Sequence, residues 1–348
     1  MEQHQIELAR ILILGFVAFA IAFLATPLLT HVLYKYNLGK RIRRDPKAPI
    51  FAKLHQHKEG TPTMGGVLVW GTMLVLISVF ALLAALVPES PLTLFNFLDR
   101  GETYLPLGAL IAAALIGLLD DILNIRSIGP FGGGLRMRQR LLLYTTIAAL
   151  GAWWFYFKLD WNIITVPIFG ETLALGIWYI PFFMLVIVAT AFSVNETDGL
   201  DGLAGGVLMM AFASFSVIAY VQERFDLAVF SAVIVGALLA FLWFNIHPAR
   251  FFLGDTGSMS LGITLGIIAM LTDMALVLPV IGFVLVIESA SVLAQVTGRG
   301  LFGRKLFLST PIHQHFQAIG WPEGKVVMRF WIISAIAAGL GLIIAITG

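Results

Sequence analysis

Long apolar runs alternate with short polar segments along the whole chain. The runs lie near 11–34, 64–87, 104–119, 139–157, 174–193, 203–221, 227–244, 257–272, 275–296 and 327–347. Each is close to the length of about 20 residues that a helix needs to cross a bilayer. Ten spanning helices are therefore predicted. Short segments of alternating apolar and polar residues are absent, which argues against a membrane β-barrel. No internal repeat, low-complexity segment or soluble domain interrupts the pattern. Residues 1–348 thus read as one all-α, polytopic membrane domain. The first run begins near Ile11 behind a mixed-charge start and is long enough to span, unlike the core of a cleavable signal.

Composition agrees with the pattern. Of 348 residues, 59% are hydrophobic and 12% charged, the latter about half the usual share. The mean hydropathy is +0.92. A soluble fold of this length would lack polar cover for its exterior, and a disordered chain would be far less apolar. The absence of cysteine excludes disulfides and thiolate metal sites. Eighteen of the 22 lysines and arginines fall in alternate loops: Lys35 to Lys58, Arg126 to Arg140, Arg250, and Arg299 to Arg329. Only Arg10, Arg100, Lys158 and Arg224 fall in the others. The positive-inside rule then places the basic loops in the cytoplasm and both termini on the extracytoplasmic side.

The polar clusters fall on that same cytoplasmic face. They are Lys58–Gly66, Asp120-Asp121, Asn195–Gly202, Asn245 with His247, Phe252–Ser258 and Pro311–Phe316. Loops converging on one face suggest an active site rather than a channel lining. Asp120 and Asp121 end an apolar run, where acids are costly; they read as a hard-cation site, a general base, or solvated helix-end carboxylates. Asp198 and Asp201, three apart, would share one face of a helix or cap a turn. Asp255 is a ligand or the N-cap of the eighth span. With no cysteine and many aspartates, the donors suit magnesium better than zinc. His313 and His315 suit hydrogen bonding or phosphate contact better than metal ligation. Most of the basic loop after the first span reads as a topology signal that also attracts anionic headgroups. Lys58 differs: it abuts a glycine-rich turn suited to a diphosphate, although the spacing is not that of a Walker A loop.

Together these residues resemble the phospho-N-acetylmuramoyl-pentapeptide transferases, within the polyprenyl-phosphate N-acetylhexosamine 1-phosphate transferase superfamily. The matching segments run from Gly60–Gly66 through Asp120-Asp121, Gly134-Leu135 with Arg138 and Arg140, Asn195–Ala204, Asn245–Ser258 and Glu288–Gln295 to Thr310–Arg329. The resemblance implies ten transmembrane helices with a bent ninth, a homodimer, and a site in the bacterial inner membrane. It implies Mg2+-dependent transfer of phospho-MurNAc-pentapeptide from UDP-MurNAc-pentapeptide to undecaprenyl phosphate, releasing UMP. By motif position Asp120, Asp121 and Asp255 match the catalytic acids, with Asp255 the magnesium ligand and Asp120 facing the lipid phosphate. Asn195, Asp198, Gly199, Leu200 and Asp201 match the uridine pocket, and Phe252 the aromatic that stacks on uracil. Lys58, Thr63 and Asn245 match further nucleotide contacts, and Arg138 a further substrate-facing cation. His313 and His315 match the outer members of a three-histidine motif. The chain departs from the pattern at Gln314, where a central histidine is usual, at Asn124, where a lysine is usual, and at Glu196. Two other classes compete: a GlcNAc-1-phosphate transferase of the same superfamily, and a secondary transporter, whose site should lie near the midplane, where Glu288 is the main charge. No nucleic-acid partner is expected.

Overall fold

The computed structural model describes residues 2–40, 56–99, 101–129 and 133–348. Most of the basic loop after the first span, and Arg100, lie outside the described residues. The chain runs α1 (Glu2–Lys35), α2 (Gly66–Leu86), α3 (Tyr104–Ile125), α4 (Met137–Lys158), β1 (Ile163–Val166), β2 (Glu171–Ala174), α5 (Tyr179–Thr197), α6 (Leu203–Val221), α7 (Phe225–Asn245), α8 (Gly254–Leu271), α9 (Leu278–Ile281), α10 (Phe283–Phe302), α11 (Ile312–Ala318) and α12 (Glu323–Thr347). Short 3-10 turns stand at Gln56–Lys58, Pro91–Phe95 and Gly176–Trp178.

Among the described residues, nine helices are long and apolar enough to cross a membrane: α1, α2, α3, α5, α6, α7, α8, α10 and α12. The protein is a multi-pass membrane protein. The fourth predicted span is the helix α4, whose 22 residues suffice in length. It carries Arg138, Arg140 and Lys158 and is rich in tyrosine and tryptophan, so its hydropathy is lower.

Three expectations are corrected. The fold is not purely helical, because β1 and β2 form an antiparallel hairpin with Ile163 opposite Ala174. Strands of four residues are too short to register as an alternating pattern. Ala174 therefore belongs to the hairpin and not to the following span. The ninth predicted span, 275–296, is broken at Gly282 into α9 and α10, and its membrane-length part runs on to Phe302. Finally, α3 continues past Asp120 and Asp121 to Ile125. Both acids are buried inside the protein, so they are not solvated carboxylates at a helix end.

Helix α8 is the axis of the bundle. It packs against α3, α5, α2 and α6, and from Thr256 to Leu271 every residue is buried. Its hydropathy is among the lowest of the nine because it is built from Gly, Ser and Thr as well as aliphatics. Small residues let neighbouring helices approach closely. Two of its hydroxyls are satisfied within the helix, Ser260 donating to the Thr256 carbonyl at 2.6 Å and Thr264 to that of Ser260 at 2.7 Å, while Thr256 donates to the Ala114 carbonyl of α3. The outer helices instead expose apolar side chains, such as Leu24, Leu185 and Ile336, as a lipid-facing surface requires.

Loops sort to two ends, as alternating spans demand. At one end Lys58, Asp201 and Glu323 meet, from loops far apart in sequence. At the other, Arg10 reaches Glu7, Asp226 and the carbonyl of Asn96.

Candidate active site

The N-terminus of α8 sits among buried carboxylates. Gly117 of α3 permits this, since a Cβ there would lie 2.3 Å from the Asp255 carbonyl oxygen. The loop before α8 is tied to the Lys58–Gly66 segment by main-chain hydrogen bonds: Phe252 donates to Pro62, Gly65 to Phe252 and Gly66 to Leu253.

Asp121 caps this helix. Its Oδ1 accepts from the Asp255 amide and the Thr63 hydroxyl, both at 3.1 Å, and its Oδ2 accepts from the Thr256 amide at 3.0 Å. A carboxylate at a helix N-terminus satisfies otherwise orphan amides and meets the positive end of the helix dipole. Asp121 and Thr63 are thus engaged in fixing Asp255, which projects from the first turn.

Asp120 and Asp255 flank Arg140 of α4. The guanidinium Nη2 lies 2.6 Å from Asp120 Oδ2 and 2.8 Å from Asp255 Oδ2, while Nη1 donates to Asn195 Oδ1 at 3.0 Å. Asn195 Nδ2 donates in turn to Asp255 Oδ1 and Ser258 Oγ. The second Asp120 oxygen accepts from the Leu135 amide at 2.6 Å. The sequence pattern points to Arg138 as the substrate-facing cation, but it is Arg140 that meets the acids. Arg138, two positions earlier, is exposed on α4. Two residues turn a helix by about 200°, which separates the two arginines onto opposite faces.

These groups also fit a divalent cation. Two carboxylates, Asp120 and Asp255, contact one buried guanidinium, with Asp121 behind them at the Asp255 amide, leaving excess carboxylate oxygen, the hard donor that magnesium prefers. Of the three side chains, that of Asp255 is the most accessible, 15% against 0% for Asp120, and so can meet a partly hydrated ion. A second acidic group, Asp201, His247 and Glu323, also has its donor atoms close together. There the Lys58 ammonium already bridges Asp201 Oδ1, at 2.7 Å, and Glu323, so this cluster holds its cation covalently in the chain.

Next to the carboxylates lies a basic and aromatic group. The Phe252 ring is approached by the Lys40 and Lys58 ammonium groups, 5.8 and 5.9 Å from its centroid. Asp198 follows the end of α5, and Asp201 lies in the turn before α6, so the pair does not share a helix face as the spacing had allowed. Burial raises the Asp198 carboxyl to about 6, assisted by the charge of Asp255 and opposed by Lys40 and Lys58. Asp201 stands below the ordinary carboxylate range: burial would raise it, but Lys58, His247 and the Ala249 amide outweigh that cost. Glu323, which no sequence motif singled out, accepts from Lys58 and from the Asp201 amide.

Two expected nucleotide contacts are engaged in the scaffold. Asn245 accepts from the Gly202 amide and donates to the Phe251 carbonyl, joining the α5–α6 turn to the loop before α8. Leu200 is buried.

His313 is fully buried, with Nδ1 2.9 Å from Glu288 Oε2. Its Nε2 is directed at the α5–α6 turn, where a Cβ on Gly199 would lie 2.3 Å away. The mid-membrane charge of Glu288 is therefore a partner for histidine. His315 turns the other way: its Nδ1 accepts from the Leu308 amide and its ring packs on Phe307 and Phe316. Gln314 is buried and accepts from Ser309.

Comparison with known proteins places this geometry. Residues 104–273 match the glycosyl transferase family 4 model, and residues 58–68 match the phospho-N-acetylmuramoyl-pentapeptide-transferase signature 1. A phospho-N-acetylmuramoyl-pentapeptide-transferase of Chloroflexus aggregans is 35% identical over 98% of this chain and 90% of its own. That of Caldanaerobacter subterraneus subsp. tengcongensis is 37% identical over 94% and 96%, and that of Clostridium novyi 36% over 94% of each. The chain belongs to the phospho-N-acetylmuramoyl-pentapeptide-transferase family. It is an enzyme, a transferase, which sets the transporter reading aside. The signature covers Lys58 and Thr63, and the wider match covers Asp120, Asp121, Arg140, Asn195 and Asp255.

Proposed function

We propose that this transferase moves phospho-MurNAc-pentapeptide from UDP-MurNAc-pentapeptide to undecaprenyl phosphate, giving the first lipid intermediate of peptidoglycan synthesis and UMP. It works as a homodimer, at the cytoplasmic face of the bacterial inner membrane, where the positive-inside rule directs the basic loops. The observation that carries the reading is the hydrogen-bonded group of buried Asp120 and Arg140 with partly accessible Asp255 and Asn195, beside the Lys40, Phe252 and Lys58 side chains. One part suits a diphosphate and its metal, the other a base stacked between cations.

An oxygen of the lipid phosphate attacks the β-phosphorus of the donor. The bond from that phosphorus to the bridging oxygen breaks, and UMP leaves with the electron pair. Both reactants are anions, so the barrier is partly mutual repulsion, and catalysis consists largely of positioning and charge neutralisation. Magnesium would be held by Asp255 and, when bound, supplies that neutralisation at the diphosphate. Arg140 fixes the Asp255 and Asp120 carboxylates, and Asp120 orients the incoming phosphate. Phe252, Lys40 and Lys58 hold the uridine end, with Asp198 at its border. His313, oriented by Glu288, faces the turn that carries Asp198 and Gly199.

The test is the identity of the product. Purified enzyme given undecaprenyl phosphate, UDP-MurNAc-pentapeptide and magnesium should form a polyprenyl diphosphate carrying MurNAc-pentapeptide by mass spectrometry. Formation of no such lipid by folded protein would contradict the assignment.

A further inference from the structure

A recess of about 440 Å³ lies between α1 and the end of α7 and shares no lining residue with the carboxylate site. His31 and Lys35 line it from α1, four apart and so on one helix face. Arg250 lines it from the loop after α7. That loop is fastened to α1, because the Tyr34 hydroxyl donates to the Arg250 carbonyl at 2.9 Å. The Arg250 guanidinium lies 5.6 Å from the Phe244 ring centroid.

The charge state of this recess differs from that elsewhere in the protein. Arg10, Lys58 and Arg140 each face carboxylates. Among the described residues, His31, Lys35 and Arg250 form no ion pair with any acid. The hydroxyls behind them are already donating: Thr26 to the Ala22 carbonyl and Thr30 to those of Thr26 and Pro27. The recess therefore offers positive charge that no acid among the described residues pairs with.

Its surroundings specify the anion. Towards the middle of α1, Leu24 and Leu28 are 77% and 70% exposed, and Trp243 of α7 is 69% exposed. Leu24 stands eleven residues before Lys35, about 16 Å along the helix, comparable with a length of acyl chain. Exposed Tyr34 and Tyr36 flank the cations, and tyrosine and tryptophan gather where a bilayer meets water. Basic recesses between helices at that level bind anionic headgroups.

We propose that this recess binds an anionic phospholipid, with its phosphate among His31, Lys35 and Arg250 and its chains along Leu24, Leu28 and Trp243. The inference rests on the chain spanning a membrane and is independent of which nucleotide sugar it uses.

Native mass spectrometry of the detergent-solubilised protein, titrated with phosphatidylglycerol or phosphatidylcholine, tests it. The wild type should retain phosphatidylglycerol over phosphatidylcholine. The double variant Lys35→Gln, Arg250→Gln should bind phosphatidylglycerol about thirtyfold more weakly, given about 1 kcal/mol for each of the two basic charges. The variant Lys158→Gln, which removes an exposed cation from the end of α4, should bind like the wild type. The conservative pair Lys35→Arg, Arg250→Lys should keep the affinity, which separates loss of charge from loss of fold. Equal binding by the Gln double variant, or no preference between the two lipids, would overturn the proposal. Displacement of the lipid by millimolar inorganic phosphate would assign the recess to free phosphate instead and overturn it as well.

Discussion

Arg140 is the residue on which the carboxylate cluster turns. One guanidinium contacts Asp120, Asp255 and Asn195. A lysine at this position keeps the charge but offers a single point of contact, and the planar fork is what reaches three partners. Arg140→Lys should lower kcat by about a hundredfold, the scale of losing one preorganised electrostatic contact, while leaving KM for the nucleotide nearly unchanged. Steady-state kinetics check this; an unchanged kcat would remove Arg140 from the site. Asp198 gives a prediction in pH. Its folded-state carboxyl is raised to about 6 from an ordinary 3.8. The folded protein therefore keeps this proton between about pH 4 and 6, where the unfolded chain has lost it. Stability falls as pH rises through that window, by up to about 3 kcal/mol. Asparagine carries no such cost. The melting temperature of Asp198→Asn, relative to wild type without substrates, should therefore rise from pH 5 to pH 7.5. A constant difference would contradict the raised value.

At the scale of elements, the site is the meeting of one helix N-terminus with three other helices. Asp121 holds the first turn of α8 by accepting from two amides and Thr63. Asp121→Ala should therefore destabilise the protein by about 1–3 kcal/mol, because buried donors lose their acceptor. Thermal unfolding in detergent reads this, and an unchanged melting temperature would make Asp121 a purely chemical residue. The same interactions explain what the sequence conveyed and what it hid. Apolar runs located the spans, because lipid exposure leaves an unambiguous signature in α1 or α12. They misplaced the ends of α3 and α12, because a hydropathy window stops at Asp120 or Glu323 although each is buried and partnered. The hairpin was invisible at four residues per strand. An acidic end to an apolar run revealed Asp120, and glycine-flanked polar clusters revealed Asp198 and Asp255, yet neither signal could tell a ligand from a cap. That distinction for Asp121 depends on Asp255 and Thr256 lying 134 and 135 residues away. Arg138 and Arg140 sit in one motif, and only the helix phase decides which faces the acids.

At the scale of the whole molecule, a lipid-exposed shell encloses a polar core reached from one end. The central helix α8 is almost entirely inside the protein and still carries an acid in its first turn. The bundle thus buries Asp120 while leaving Asp255 partly accessible, and burial strengthens the pairing of Asp120 with Arg140. The Lys40, Lys58 and Phe252 side chains near the carboxylates and the outer apolar faces of the helices give one protein both a polar, aromatic surface and a lipid-exposed one. The most direct test of the central claim is UMP release by purified enzyme with undecaprenyl phosphate and magnesium, measured in parallel with UDP-MurNAc-pentapeptide and UDP-GlcNAc. The account predicts release with the first donor only, and its loss in Asp255→Asn. Release with UDP-GlcNAc alone, or undiminished release by Asp255→Asn, would contradict it.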